Sequence, residues 1–401
     1  MNRKEFLKNS IGIGIGSGLP FLGLFLEGCS NAFIDTSSPG VNFSGKVLIV
    51  GAGAAGLTAG YILQRNNIDF EIIEASAVYG GRVKRTTDLA DFPIDLGGEW
   101  IHEKPSVLSE IINDPSVNAS IDFVDYTPQT IQWYKNGKLK DRNWTSGLLS
   151  EHKFKSTTWF GFFENYIVPK ITNKIRYNQP VSQIDYSGER ISVTTNNRTA
   201  YEADKVLVTV PVKILQSNMI EFIPALPSEK IANIQKISMD AGLKVFIEFS
   251  ERFYPDMLFF EGLISAFTQE NKSYYNAAFG KATNKHVLGL FAINEKAEKY
   301  TRLGTDQAIF EAVMAELDEI FDGKASPHYL GHVVQNWSAE PYIQGSYSDS
   351  FDGNRKSIVR TIVKPLNNKV YFAGEAFSID NQATVHGACE SAYSIMKEML
   401  I

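Results

Sequence analysis

Residues 46–75, KVLIVGAGAAGLTAGYILQRNNIDFEIIEA, constrain the fold more tightly than any other stretch of the chain. Val47 to Val50 form a continuous apolar run, the pattern of a strand buried on both faces. A glycine turn, a helical pattern and a second apolar strand follow, which makes a βαβ start. Gly51, Gly53 and Gly56 fall in GxGxxG spacing. The first permits a tight turn, the second lets a pyrophosphate reach the backbone, and the third lets helix and strand pack closely. The helix N-terminus then favours the phosphate charge. Glu74 closes the second strand, where its carboxylate can accept hydrogen bonds from both hydroxyls of an adenosine ribose and repels a 2′-phosphate. The unit predicts dinucleotide binding.

At 401 residues the chain is long enough for two domains, and 44% hydrophobic content supplies their cores. The net charge is −6, with no basic run or stripe, which argues against nucleic-acid binding and only weakly favours cationic substrates. RISVTT and KVLVTVP read as further strands, and KVYFAG as a buried strand before a helix from about Thr384 to Met399. These pieces assemble a nucleotide domain from residues 45–100, 175–230 and 335–401. The aromatic-rich segments 101–174 and 231–334 form a second, discontinuous domain.

The N-terminus reads as an export signal over residues 1–28, with a short basic region before the uncharged stretch Ile11 to Leu26. It runs into LEGC, similar to a bacterial lipoprotein cleavage site with Cys29 as the lipidated residue, although Glu27 departs from that pattern. NRKEFLK also resembles a twin-arginine signal with Lys4 in place of the second arginine; an ordinary secretory signal or an uncleaved anchor stays open. Residues 29–44 read as a tether. The expected location is the bacterial cell envelope, in the periplasm or lipid-anchored at Cys29, with the membrane met only through that anchor. Cys29 and Cys389 are the only cysteines, so no zinc site or CxxC pair is expected, and no metal.

EASAVYGGRVKR places Gly80, Gly81 and Arg82 just beyond Glu74. A glycine pair lets backbone pass close to a cofactor, and an arginine there can pair with its pyrophosphate. In this order the motifs resemble those of the flavin-containing amine oxidase superfamily, and the polyamine oxidase branch most. The resemblance continues through DLGGEWIH, PVSQIDYSG, ADKVLVTVPVKIL, NWSAEPYIQGSYS and VYFAGEAFSIDNQATVHGACESA. It implies an α/β fold: a Rossmann-like FAD-binding domain of the glutathione-reductase type with a discontinuous mixed α+β substrate domain. It further implies FAD contacts at Gly51, Gly53, Ala55, Gly56, Glu74, Ala75, Gly81 and Arg82. Gly97, Gly98, Glu99 and Trp100 would run beneath the isoalloxazine ring, and Val181 would meet the adenine. Gly374, Glu375, Thr384 and Val385 would hold the ribityl–pyrophosphate region and the flavin edge.

Where monoamine oxidases carry the flavin-linking cysteine, this chain has Ser346, so the resemblance implies non-covalent FAD. Tyr347 then falls on one wall of the aromatic cage, and the opposite wall aligns with Thr384. His102 matches a histidine near the substrate amine, and Trp337 one of the aromatics beside the flavin. For each of these a plainer reading stands alongside: Glu375 as a helix cap, Tyr347, Trp100 and Trp337 as packing, His102 satisfied by a backbone carbonyl. His386 reads as structural.

The expected reaction is oxidation of a primary or secondary amine, polyamine-like, to an imine by hydride transfer to flavin N5, with O2 returning the flavin and giving peroxide. MDAGLKVFIEF, residues 239–249, predicts a half-buried strand with Leu243, Val245, Ile247 and Phe249 on one face. Lys244 shares the other face with Phe246 and Glu248, so it is either a solvated amine or a buried one with a task. The family places its N5-bonded lysine in this pattern, which points to Lys244, with Phe246 enclosed and Glu248 where the face reaches water. Other readings are an L-amino-acid oxidase, a tryptophan-type monooxygenase, a desaturase, or a non-catalytic envelope flavoprotein. An amino-acid oxidase needs a carboxylate-binding arginine, and Arg142, Arg176 and Arg252 are the ones considered. A monomer or homodimer is expected.

Overall fold

A computed structural model describes residues 34–36, 40–143, 151–260 and 271–401. The export signal, Cys29 and half of the tether lie outside the described residues.

Strand β1 (Val47–Val50), helix α1 (Ala54–Arg65) and strand β2 (Phe70–Ile73) realise the βαβ unit. β1 is buried at every position, as its unbroken apolar run requires. It sits centrally in a five-stranded sheet ordered 370–372, 205–208, β1, β2, 175–176, in which every pairing is parallel. α1 covers one face together with α2 (Val385–Met399), which begins where the sequence places it, with Thr384 as N-cap. The chain is therefore Rossmann-like at both ends of its sequence. A four-stranded sheet ordered 200–203, 191–195, 181–185, 221–223 stands beside this layer.

The third large unit is a seven-stranded sheet ordered 329–336, 242–249, 286–293, 272–276, 257–259, 131–135, 138–141. Its strand β3 (Gly242–Phe249) differs from the sequence expectation. The alternation alone predicts a half-buried strand and leaves the Lys244 face open, yet all eight residues are buried. β3 is the second strand of the sheet, bonded on both edges, and both sheet faces are covered. Leu243, Val245, Ile247 and Phe249 pack with Ile309, Val313 and Leu317 of the helix 306–320. Phe246 packs on the other side with Phe92, Ile94, Leu96, Tyr126 and Tyr275. Glu248 does not reach water freely; it is 8% exposed and paired with Lys285 at 2.6 Å. Among the described residues no helix is long and apolar enough to cross a membrane.

Candidate active site

The carboxyl ends of β1 and β2, the turn after β2, the start of α2 and strand β3 all face one cavity of about 1160 Å³. Binding at the carboxyl ends of parallel strands is where an open α/β sheet leaves a crevice. Of the candidate residues read from sequence, Gly56 alone does not line it; Lys244, Tyr347, Trp337, His102 and Thr384 all do.

The dinucleotide end is built from backbone. Gly51 adopts φ +107°. A Cβ on Gly56 would fall 1.9 Å from the carbonyl oxygen of Gly51, so helix–strand contact excludes any side chain there. A Cβ on Gly53 would meet only Gly80 O, at 4.0 Å, because this position faces the open cavity. Gly53 is also the N-cap of α1 and offers no side-chain cap, which leaves first-turn amides to a bound phosphate. Glu74 is fixed beside them: its Oε2 accepts from Ala52 N at 2.7 Å and its Oε1 from Ser76 N at 2.8 Å. Burial raises its carboxyl above the ordinary range against those amides. These groups fit an FAD, with Glu74 for the ribose and the α1 amides for the pyrophosphate.

Arg82 and Glu375 meet across the cavity. Arg82 Nη1 donates to Glu375 Oε1 at 2.9 Å and to Ser346 O at 3.0 Å. Glu375 also accepts from Ser348 N, Ser348 Oγ and Ala383 N, so it organises two loops rather than capping one helix. Thr384 is committed locally: its hydroxyl accepts from Gly387 N at 2.9 Å and donates to Asn381 O at 2.7 Å. Trp337 Nε1 donates to Leu96 O at 3.0 Å, which fixes the indole against the segment 95–98. Tyr347 is half-buried, and burial raises its phenol above the ordinary value. Val181, Ala55, Ala75, Gly374 and Val385 also line the cavity.

Lys244 is 4% exposed. Its Nζ donates to Glu99 Oε2 at 2.7 Å and to Asp95 O at 3.1 Å. It is the buried amine of the two readings. Glu99 lines the cavity, and its side chain also serves the lysines: Oε1 lies 2.6 Å from Lys153 Nζ, and Oε2 accepts from Tyr275 OH at 2.5 Å. Although burial pushes the other way, Lys153 and Lys244 hold the Glu99 carboxyl down to about 2. Asp95, buried next to Glu99, is instead raised well above its ordinary value. Trp100 stands on Tyr126 and Tyr275 at centroid distances of 5.0 and 5.5 Å. His102 lies at the exposed edge, its Nδ1 3.1 Å from Glu151 Oε2. His386, 1% exposed, lines the cavity, and its Nδ1 has no hydrogen-bond partner among the described residues.

Sequence reasoning missed Lys153, Tyr126, Tyr275, Phe291 and Tyr342. Phe291 is the residue opposite Lys244 in the register of β3 with strand 286–293. Only that pairing, which is non-local, would have located it. Among the described residues no cysteine lines the cavity, and Cys389 is fully buried within α2. Ser346 stands at the cavity, in the place where the resemblance implied non-covalent FAD.

Residues 54–156 and 163–396 match the family described as flavin containing amine oxidoreductase. Polyamine oxidase 4 of Oryza sativa subsp. japonica is 31% identical over 56% of this chain and 45% of its own length. Polyamine oxidase 3 of the same plant is 25% identical over 88% of each chain. Human lysine-specific histone demethylase 2 is 31% identical over 74% of this chain and 39% of its own. The chain thus spans less than half the length of the first and third of these relatives. A solved structure of putrescine oxidase bound to putrescine superposes with a TM-score of 0.71 at 14% identity, covering 89% of this chain and 99% of that one. That likeness shows the fold. The family match extends over most of the sequence, and the chain belongs to the flavin-containing amine oxidoreductases.

Proposed function

We propose that this protein is an FAD-dependent amine oxidase that converts a primary or secondary amine, polyamine-like in preference, to an imine, with O2 as the final acceptor and peroxide as the second product. The observation that carries the reading is a single cavity lined both by a dinucleotide cradle at Gly53 and Glu74 and by Lys244, Trp337 and Tyr347. When bound, the flavin accepts the hydride equivalent from the amine's α-carbon and passes the electrons to oxygen.

The chain's own residues supply position, charge and exclusion of water. Trp337, Trp100, Tyr347 and Phe291 give an apolar, aromatic lining that favours the neutral amine, whose lone pair assists loss of the α-hydrogen. Lys244 holds a cation at the chamber floor, fixed by Asp95 O and Glu99. Glu103 and Glu151 line the outer part beside His102, which suits a substrate carrying further ammonium groups. An amino-acid substrate finds less support: none of Arg142, Arg176 and Arg252 lines the cavity, and the last two pair with Glu71 and Asp256. The polyamine oxidase and putrescine oxidase relatives favour the same substrate class.

Anaerobic bleaching of the bound flavin with polyamines, aryl amines and amino acids, followed by peroxide release in air, tests the reading. Bleaching by polyamines first is expected. A reducible flavin that no amine or amino acid bleaches would leave a non-catalytic flavoprotein. Export to the cell envelope and lipidation rest on the basic N-terminus and LEGC alone. Release from the membrane fraction in Cys29→Ala is the expected outcome there.

A further inference from the structure

Lys153 is a second buried lysine at this site. It comes from the strand Glu151–Phe154, is 3% exposed, and is not itself a cavity-lining residue. Its Nζ sits among three rings, 4.8 Å from the centroid of Trp100, 5.1 Å from Tyr275 and 5.3 Å from Tyr126. The aromatic box and the Glu99 carboxylate together accommodate a desolvated ammonium group. Glu99 therefore stands between two lysines, with Lys244 on one oxygen and Lys153 on the other.

The arrangement matters for charge. A lone Lys244–Glu99 pair would be neutral, and its two fields would largely cancel in the chamber. With Lys153 added, two ammonium groups face one carboxylate, so the trio carries a net positive charge. Burial, with Glu99 adding to it, pushes the Asp95 carboxyl well above its ordinary value, which weakens its opposition to that charge. Lys281, whose Nζ donates to Phe154 O at 3.0 Å and Lys155 O at 3.1 Å, lies on the same side and adds no negative charge. In a buried, low-dielectric setting such a charge acts on the cavity more strongly than in water. A cation beside a two-electron acceptor favours its reduced state.

We propose that Lys153 is a positioning residue that acts through Glu99: it holds the carboxylate that fixes Lys244, and it sets the net positive charge that tunes the reduction potential of the flavin bound in this cavity. The inference rests on the flavoenzyme reading above. A purely structural role, pinning strand 151–154 to the cavity floor, would leave the potential unmoved once the protein folds.

The test is the two-electron reduction potential of purified holoenzyme, measured by dye equilibration in four proteins. Lys153→Met lowers it, by at least tenfold in the reduction equilibrium, which is about 30 mV for two electrons. Glu99→Gln raises it by a similar factor. The double variant returns close to the wild-type value, because one charge of each sign has been removed. Lys153→Arg, which keeps the charge, stays nearer to wild type than Lys153→Met. Unchanged potentials in the single variants, or a double variant displaced further than either single one, would overturn the inference. Should Lys153→Met not yield holoenzyme, Glu99→Gln decides alone: a rise supports the proposal and no rise sinks it. Wild-type protein that retains no flavin would remove the cofactor reading and this inference with it; a retained, reducible flavin with unmoved potentials removes this inference only.

Discussion

Arg82 and Glu375 stand 293 positions apart in sequence, and their side chains meet at 2.9 Å. The pair joins the turn after β2 to the segment before α2, so the two ends of the chain close one cavity. Every group that reaches the Glu375 carboxylate is a donor: Arg82 Nη1, Ser348 N, Ser348 Oγ and Ala383 N. Glu375→Gln would point an amide N–H at one of them and leave Arg82 without its counter-charge. Losing one partner of such a pair costs about 3–5 kcal/mol. The variant is expected to melt several degrees lower and to retain FAD at least about tenfold less tightly. A flavin-fluorescence melt and an FAD titration measure the two effects.

Two glycines in one motif should fail in different ways. Gly56→Ala places a methyl 1.9 Å from Gly51 O, a contact only backbone movement can relieve, so soluble protein should be lost. Gly53→Ala meets nothing closer than 4.0 Å and occurs at φ −78°, which any residue adopts. That variant should fold with wild-type secondary structure and lose FAD affinity, because its methyl enters the space over the α1 amides. Circular dichroism with flavin absorbance separates the outcomes. Equal loss of fold in both would contradict the assignment of Gly53 to the cofactor wall.

What sequence made legible here is what backbone geometry demands. The GxGxxG turn, Glu74 and the GGR turn each require particular residues at particular positions, and all but Gly56 reach the cavity. Lys244 could be located by pattern but its surroundings could not, because β3 is covered by residues from strands far away in sequence. Lys153 lies on a strand paired with 123–126, while Tyr275 comes from the seven-stranded sheet; both converge on Glu99 only through tertiary packing. Glu99 lies in a segment whose resemblance concerns its backbone, so the side chain's ties to Lys153, Lys244 and Tyr275 were not legible in the sequence. The half-buried reading of β3 failed for the same reason: alternation identifies one apolar face and says nothing of what covers the other.

His386 should leave a signature in the pH dependence of stability. Burial, with His102 adding to it, lowers its imidazole from 6.5 to about 3. The unfolded chain therefore binds a proton near pH 6.5 that the folded chain refuses until about pH 3. Stability contributed by the neutral imidazole is complete above about 6.5 and falls as pH drops through that window, with a slope of up to about 1.4 kcal/mol per pH unit. His386→Gln keeps a polar group of similar size without the titration. Denaturant midpoints compared between pH 4 and 7 should show a steeper acid loss in the wild type than in this variant. Parallel profiles would mean that His386 is protonated in the folded protein.

Lys244→Met is the most direct probe of the chamber floor. The substitution conserves volume in a site 4% exposed and removes the cation. Glu99 keeps Lys153 and Tyr275 as partners, so the carboxylate is not abandoned and the fold should survive. FAD should remain bound, because the dinucleotide cradle lies on β1, α1 and β2 rather than on β3. The rate of flavin reduction by amine, or of its return by oxygen, should fall at least about tenfold, a barrier rise of roughly 1.4 kcal/mol. Stopped-flow measurement of the two half-reactions identifies which step depends on the lysine. Wild-type rates in both halves would reduce Lys244 to a buried counter-ion of Glu99.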